Sequence, residues 1–318
     1  MNFIHCRLFF TLATCSLLVS CATHETRERP MLPGATRVLV LGDSITHSGQ
    51  YVEFIETYFV TRFPGRTIEF LNLGLPSETV SGLSEAGHAG GQFPRPDLHE
   101  RLERVLEKTK PDVVIACYGM NDGIYLPFSG DRLGKFTNGL VRLRDRVAAA
   151  RAKIIHVTPP TFDEARGKGP GYGETLDRYA DWMLAQRRAG WDVVDLHGPM
   201  NRHLAERRRT EPGFFLAGDG VHPGEAGHWI MAKQILLYLG AKDLTNIDAP
   251  KAMLSVHPEG NQLLRLIQQK QHLLRDAWLT ETGHQRPGMS KGLPIAEAQA
   301  KAEELQKNIQ TLAGQNAK

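Results

Sequence analysis

From residue 36 the chain alternates short apolar runs with longer amphipathic stretches. Five apolar runs, Arg37–Leu41, Thr67–Leu73, Asp112–Tyr118, Lys153–Thr158 and Asp192–Leu196, are rich in Val and Ile. Several show no polar alternation, which predicts strands buried on both faces. Apolar residues at helical spacing over Tyr51–Phe63, Asp97–Lys108, Arg132–Arg151, Glu174–Arg188 and Glu225–Leu239 predict helices. Asp97 and Asp131 stand where helix caps belong, and Gly190 stands where a helix stops. Such alternation predicts right-handed crossovers and an α/β fold: a three-layer α/β/α arrangement around a five-stranded, mostly parallel sheet. In these sheets functional groups collect at the carboxyl ends of the strands. Ser44, Gly74, Gly119–Asn121 and Pro159 follow the first four strands in turn.

Two Gly- and Pro-rich segments, Leu83–Pro96 and Phe162–Tyr172, follow strand ends and are expected to hang over the same rim. Near residue 250 the composition changes. Leu263–Trp278 has helical spacing, a linker rich in Gly, Pro and Lys follows, and the tail from Ile295 is rich in Ala, Gln, Glu and Lys. The apolar content of this part is too low for a core of its own, so residues 246–318 are expected to form a helical extension packed on a main domain of residues 36–245.

The N-terminus changes the picture. One cation, Arg7, precedes an apolar stretch from Leu8 to Ser20 that is too short to span a bilayer but suits a secretory leader. Leu18-Val19-Ser20-Cys21 resembles the bacterial lipobox. That resemblance implies a leader of residues 1–20, lipidation at Cys21, a linker over residues 21–35, and an exported lipoprotein in the periplasm, outer membrane or cell surface. A plain leader with an incidental cysteine is the alternative. The lipobox resemblance implies that of the four cysteines Cys6 and Cys15 leave with the leader and Cys21 takes lipid, so Cys117 is expected to stay alone as a small buried hydrophobe.

Composition excludes little else. The 318 residues are 41% hydrophobic and 23% charged with a formal net charge of +3, an ordinary globular balance. The basic residues are dispersed, and Arg207-Arg208-Arg209 lacks interleaved aromatics, so it reads as the solvated end of a helix and no nucleic-acid partner is expected.

Four separated segments carry candidate chemistry: "GDSIT" (residues 42–46), "NLGLPSET" (72–79), "YGMND" (118–122) and "DGVHP" (219–223). A serine hydroxyl is a poor nucleophile unless a base takes its proton. His222 can be that base if Asp219, three residues earlier on one turn, accepts the proton of the other ring nitrogen. In order and placement, these segments resemble the four blocks of the SGNH, or GDSL, hydrolases over roughly residues 36–240. The resemblance implies a flavodoxin-like sheet, a catalytic triad of Ser44, Asp219 and His222, an oxyanion hole from the Ser44 and Gly74 main-chain N–H groups and the Asn121 amide, and cleavage of carboxylic esters through an acyl-enzyme.

Other polar residues read as structural. Asp43 and Asp122 are expected to orient their turns through backbone hydrogen bonds, and His156 to be a satisfied core histidine. His228 is expected to pack or face water. His47 either touches substrate or caps the next helix. Asp195 and His197 share a strand face, but no third ligand has suitable spacing, so neither a metal nor another cofactor is expected. Phe93, Tyr125, Phe128, Phe162 and Tyr172 can stack on sugar rings or line an acyl pocket. Export and the want of a long apolar lid favour O-deacetylation of carbohydrate, with a membrane reached only through the lipid. A lysophospholipase or general carboxylesterase is the alternative within the enzyme class, and a non-catalytic glycan-binding lipoprotein the alternative outside it. The oligomeric state is not legible.

Overall fold

The computed structural model describes residues 31–314. The leader reading and Cys21 lie outside these described residues. Five strands, β1 (Arg37–Gly42), β2 (Glu69–Asn72), β3 (Val113–Cys117), β4 (Lys153–Val157) and β5 (Asp192–Val194), form one sheet in the order β2-β1-β3-β4-β5. Every pairing is parallel. The runs Val38–Leu41 and Val113–Ala116 are buried, as the unbroken apolar pattern requires of strands covered on both faces.

The helices are α1 (Ser44–Ser48), α2 (Gln50–Arg62), α3 (Leu98–Thr109), α4 (Gly130–Ala149), α5 (Tyr172–Ala185), α6 (His197–Thr210), α7 (Glu225–Leu239), α8 (Pro250–Leu254), α9 (Gly260–Thr282) and α10 (Ile295–Gly314). The β1-to-β2 crossover runs one way along the sheet and the next three run the other way. Right-handed connections therefore put α2 on one face and α3, α4 and α5 on the opposite face. Helix contacts follow that division: α2 packs beside α7, α3 beside α4, and α4 beside α5. Asp97 caps α3, its carboxylate accepting from His99 N at 2.9 Å. Ser129, not Asp131, caps α4, and Asp131 falls in the first turn, where its charge faces the helix N-terminus.

Reversal of winding occurs between β1 and β3, whose last residues, Gly42 and Cys117, sit side by side. The loops leaving these strands must diverge to opposite faces, which opens a crevice at their carboxyl ends. Gly42 is required there by size: a Cβ would lie 2.1 Å from Thr46 Oγ1 and 2.7 Å from the Cys117 carbonyl.

The C-terminal helices complete the core. α9 lies across α2 and the edge strand β2, and α10 runs along α9. Leu274, Trp278 and Ala302 share the main apolar cluster, and Leu263, Ile267, Ile309 and Ala313 form a smaller one beside it. Gln271 donates from Nε2 to the Phe70 carbonyl on β2 at 2.9 Å, covering an edge that would otherwise present unpaired backbone. The buried Lys270 ammonium is paired with Glu56 on α2 and donates to Gln306 on α10 at 2.6 Å.

Candidate active site

Backbone turns at three strand ends set the site. Asp43 caps α1, its Oδ1 accepting from Ile45 N at 2.9 Å, so the chain turns sharply and Ser44 becomes the first helical residue. At that position the Ser44 N–H has no carbonyl one turn earlier in the helix to bond. The Asp43 carboxyl is buried, and burial pushes its pKa up to about 7, with Asp122 and Glu78 nearby adding to the rise.

Ser44 Oγ lies 2.8 Å from His222 Nε2, and His222 Nδ1 lies 2.6 Å from Asp219 Oδ2. The second carboxylate oxygen of Asp219 accepts from the main-chain N–H groups of Val221 and His222 at 2.9 and 2.8 Å. Partial burial raises the Asp219 pKa, but the His222 ring bond and these two N–H bonds outweigh it and hold the group at about 2. A carboxylate held ionised is an acceptor only, so the proton between the pair sits on Nδ1. Nε2 is then the free lone pair that accepts from the Ser44 hydroxyl. Both side chains stand half in solvent, 51% and 58% exposed for His222 and Asp219, so the line is open to a bulky reactant.

Asn121 is brought beside this line. Its Oδ1 accepts from Arg95 Nη1 at 2.9 Å and from the Tyr125 hydroxyl at 3.1 Å. Two donors on one atom fix which end of the amide is oxygen, leaving Nδ2 with two protons. One goes to the Glu78 carbonyl at 3.3 Å. Arg95 is itself locked, forking onto both Glu85 oxygens at 2.7 Å.

The structure does not bring Gly74 to the same place. Its N–H donates to Asn72 Oδ1 at 3.0 Å, and its missing side chain serves packing, since a Cβ would lie 2.4 Å from His47 N. Three residues on, Ser77 adopts a left-handed φ of +69° and lines the pocket over Ser44. Among the described residues its N–H has no partner. Ser77 therefore stands where Gly74 was expected. Asp122 ties this loop to the Asn121 loop, accepting from Val80 N and Ser81 N at 2.9 and 2.8 Å and from Gly119 N at 2.9 Å.

The resulting cavity holds about 350 Å³ and is lined by Ser44, Pro76, Ser77, His88, Arg95, Asn121, Tyr125, His222 and Arg286. Of the rim aromatics expected from the sequence, only Tyr125 is in this lining. Tyr172 is buried and its hydroxyl holds the Asn121 loop, donating to the Met120 carbonyl at 2.8 Å and accepting from Gly123 N at 3.1 Å. Phe162 is buried against Tyr172.

His47, His156, His197 and His228 are outside the lining of this pocket. Burial, followed by the nearby Arg275 charge, pushes the His47 imidazole down to about 4, and its carbonyl accepts from Arg275 Nη1 on α9 at 2.8 Å. Burial likewise holds His228 near 4, where it stacks on Tyr51 and meets Ser48 Oγ at 3.0 Å. His156 is in the core but not satisfied: neither ring nitrogen has a partner among the described residues, and the ring stacks on Trp191 with burial lowering it to about 3. Asp195 accepts from Gly198 N at 3.0 Å, and His197 Nε2 meets Asp177 at 2.7 Å. Cys117 is buried at the end of β3.

Residues 40–230 match the GDSL-like lipase/acylhydrolase family. An acetylxylan esterase of Geobacillus stearothermophilus is 26% identical over 226 residues, covering 64% of this chain and 94% of that protein. A solved α/β hydrolase, LAE5 from the metagenome of Lake Arreo, Spain, superposes with a TM-score of 0.50 at 26% identity, over 64% of this chain and 95% of that one. A gut microbial diltiazem-metabolizing enzyme shares the fold with a TM-score of 0.52 at 24% identity. That match covers 64% of this chain and 47% of the other, so the present chain spans about half its length. By its sequence, its parallel sheet and these likenesses, the chain belongs to the GDSL-like lipase/acylhydrolase family and is a carboxylic ester hydrolase.

Proposed function

We propose that Ser44, His222 and Asp219 act as a catalytic triad that removes acetyl groups from O-acetylated saccharides. The observation that carries the reading is the unbroken line of hydrogen bonds from Ser44 Oγ through the His222 ring to Asp219, at 2.8 and 2.6 Å. His222 Nε2 takes the hydroxyl proton as Ser44 Oγ attacks the ester carbon, and Asp219 stabilises the imidazolium. The tetrahedral oxyanion takes hydrogen bonds from the N–H groups of Ser44 and Ser77 and from Asn121 Nδ2. Collapse of this intermediate expels the sugar hydroxyl, which receives the proton from His222. Water, activated by the same imidazole, then frees acetate from Ser44.

Acetyl is favoured over a long acyl chain by the pocket lining, which includes no Leu, Ile, Val or Phe. A saccharide carrier is favoured by the half-exposed triad and by the likeness to an acetylxylan esterase. The lipobox-like residues 18–21 further support an exported protein anchored through lipid at Cys21. Loss of detergent partitioning in Cys21→Ala tests the anchor, and retained partitioning contradicts it. The function is tested by acetate release from acetylated xylo-oligosaccharides. Release by the wild type and none by Ser44→Ala is expected. Equal release by both, or cleavage of lysophospholipids alone, overturns the reading.

A further inference from the structure

The residues matched to the family end at 230, yet the pocket over Ser44 includes Arg286, from the linker between α9 and α10. Its guanidinium is held at the rim rather than left trailing in solvent. Cζ lies 5.4 Å from the Phe93 ring centre, and Nη1 donates to the Pro287 carbonyl at 3.0 Å. The Phe93 ring also meets His88, edge-on at 5.3 Å. The linker is tied back to α9, where Thr280 Oγ1 accepts from Gly292 N at 2.8 Å, and α9 is held near the site by Arg275, which donates to the His47 carbonyl one turn from Ser44.

Charge distinguishes Arg286 from its neighbour. Arg95 is neutralised by the fork onto Glu85 and is occupied with Asn121. Among the described residues Arg286 has no carboxylate within ion-pair distance, and its Nε is buried without an acceptor. Asp219, the acid of the triad, is committed to His222. The pocket therefore holds one uncompensated, pre-positioned guanidinium with unused donors. A guanidinium so placed matches a carboxylate on a ligand far better than another neutral hydroxyl.

We infer that Arg286 recognises a carboxylate on the carrier, so that the preferred substrate is an O-acetylated acidic saccharide, of the uronic acid type. This rests on the deacetylase reading above and names its substrate class. The specificity element then comes from the C-terminal extension, outside the part matched to the family.

A matched pair of esters tests it: an acetylated methyl uronoside with its free carboxylate, and the same compound with that carboxylate methylated. The wild type is expected to show a kcat/KM about tenfold to a hundredfold higher for the free acid, the scale of one charge-assisted hydrogen bond. The difference should lie mainly in KM, because the carboxylate is bound equally in ground and transition states. In Arg286→Met the ratio should collapse toward one, and Arg286→Lys should keep part of it. A wild-type ratio near one with both esters cleaved, or an unchanged ratio in Arg286→Met, overturns this inference and leaves deacetylation standing. Cleavage of 4-nitrophenyl acetate with neither sugar ester cleaved removes the deacetylase reading and this one with it. A preference for an anionic lysophospholipid over the acidic sugar ester also overturns it.

Discussion

Asn121 shows how a single side chain is made useful by its neighbours. Arg95 and Tyr125 both donate to its oxygen, so the amide nitrogen cannot rotate away from the pocket. Asn121→Ala should lower kcat about a hundredfold to a thousandfold, the cost of one oxyanion donor. Arg95→Met removes one of the two donors to the amide oxygen and leaves the Tyr125 and Glu78 bonds, so the amide stays in place but is held less firmly. It should lower kcat by up to about a hundredfold, through misplacement alone, with KM little changed. Steady-state kinetics on 4-nitrophenyl acetate checks both, and an Arg95→Met effect confined to KM would contradict the positioning role. At this scale the sequence was legible where chemistry and spacing coincide, as in Asp219 and His222 on one turn. It was misleading at Gly74, because glycine signals a close approach without saying of what. Here the approach is by α1, while a serine three residues later takes the left-handed φ. Arg95 and Arg286 sit in loops without periodicity, and nothing local marks them as facing Ser44.

The turns that present the site are held by buried acids, and each carries a stability consequence. Glu78 and Arg101 pair at 2.6 Å with both side chains almost wholly buried, linking the Ser77 loop to α3. Arg101→Met should cost about 3–5 kcal/mol, since it strands a buried charge. Adding Glu78→Leu should recover a large part, read by urea denaturation of the single and double variants. Asp43, the cap of α1, has its pKa raised from 3.8 to about 7. The folded state then binds this proton more tightly than the unfolded state, so the contribution of Asp43 to stability is full below about pH 4, falls as pH rises to about 7 and levels off above. Asp43→Asn keeps the capping acceptor without the charge. Relative to wild type its melting temperature should rise more at pH 8 than at pH 4, and an equal offset at both would contradict the assignment. The helices and strands were largely readable from apolar spacing because their burial follows it. The helix over residues 197–210 was anticipated only at its basic end, since its turns carry few apolar residues.

At the scale of the whole molecule, the C-terminal helices act as a cover for α2 and for the edge strand β2. They pack on α2 and β2, with Val60 against the cluster of Leu263, Ile267, Ile309 and Ala313, so removing residues 246–318 should expose the faces they cover and give a protein that is insoluble or binds a hydrophobic dye. A truncated chain that stays monomeric with the wild-type melting temperature would contradict that cover. The low apolar content of this segment pointed to packing on a larger body. The surface it would cover was not legible, because contacts such as Gln271 with Phe70 join residues two hundred positions apart. At the switch point between β1 and β3 the proposed function requires an activated Ser44 beside three N–H donors. The most direct test is covalent trapping with a diethyl 4-nitrophenyl phosphate probe, followed by intact-mass and peptide mapping. One diethylphosphoryl group on Ser44, none in Ser44→Ala and markedly slower labelling in His222→Ala are predicted; labelling at another residue, or undiminished labelling of Ser44→Ala, would contradict the account.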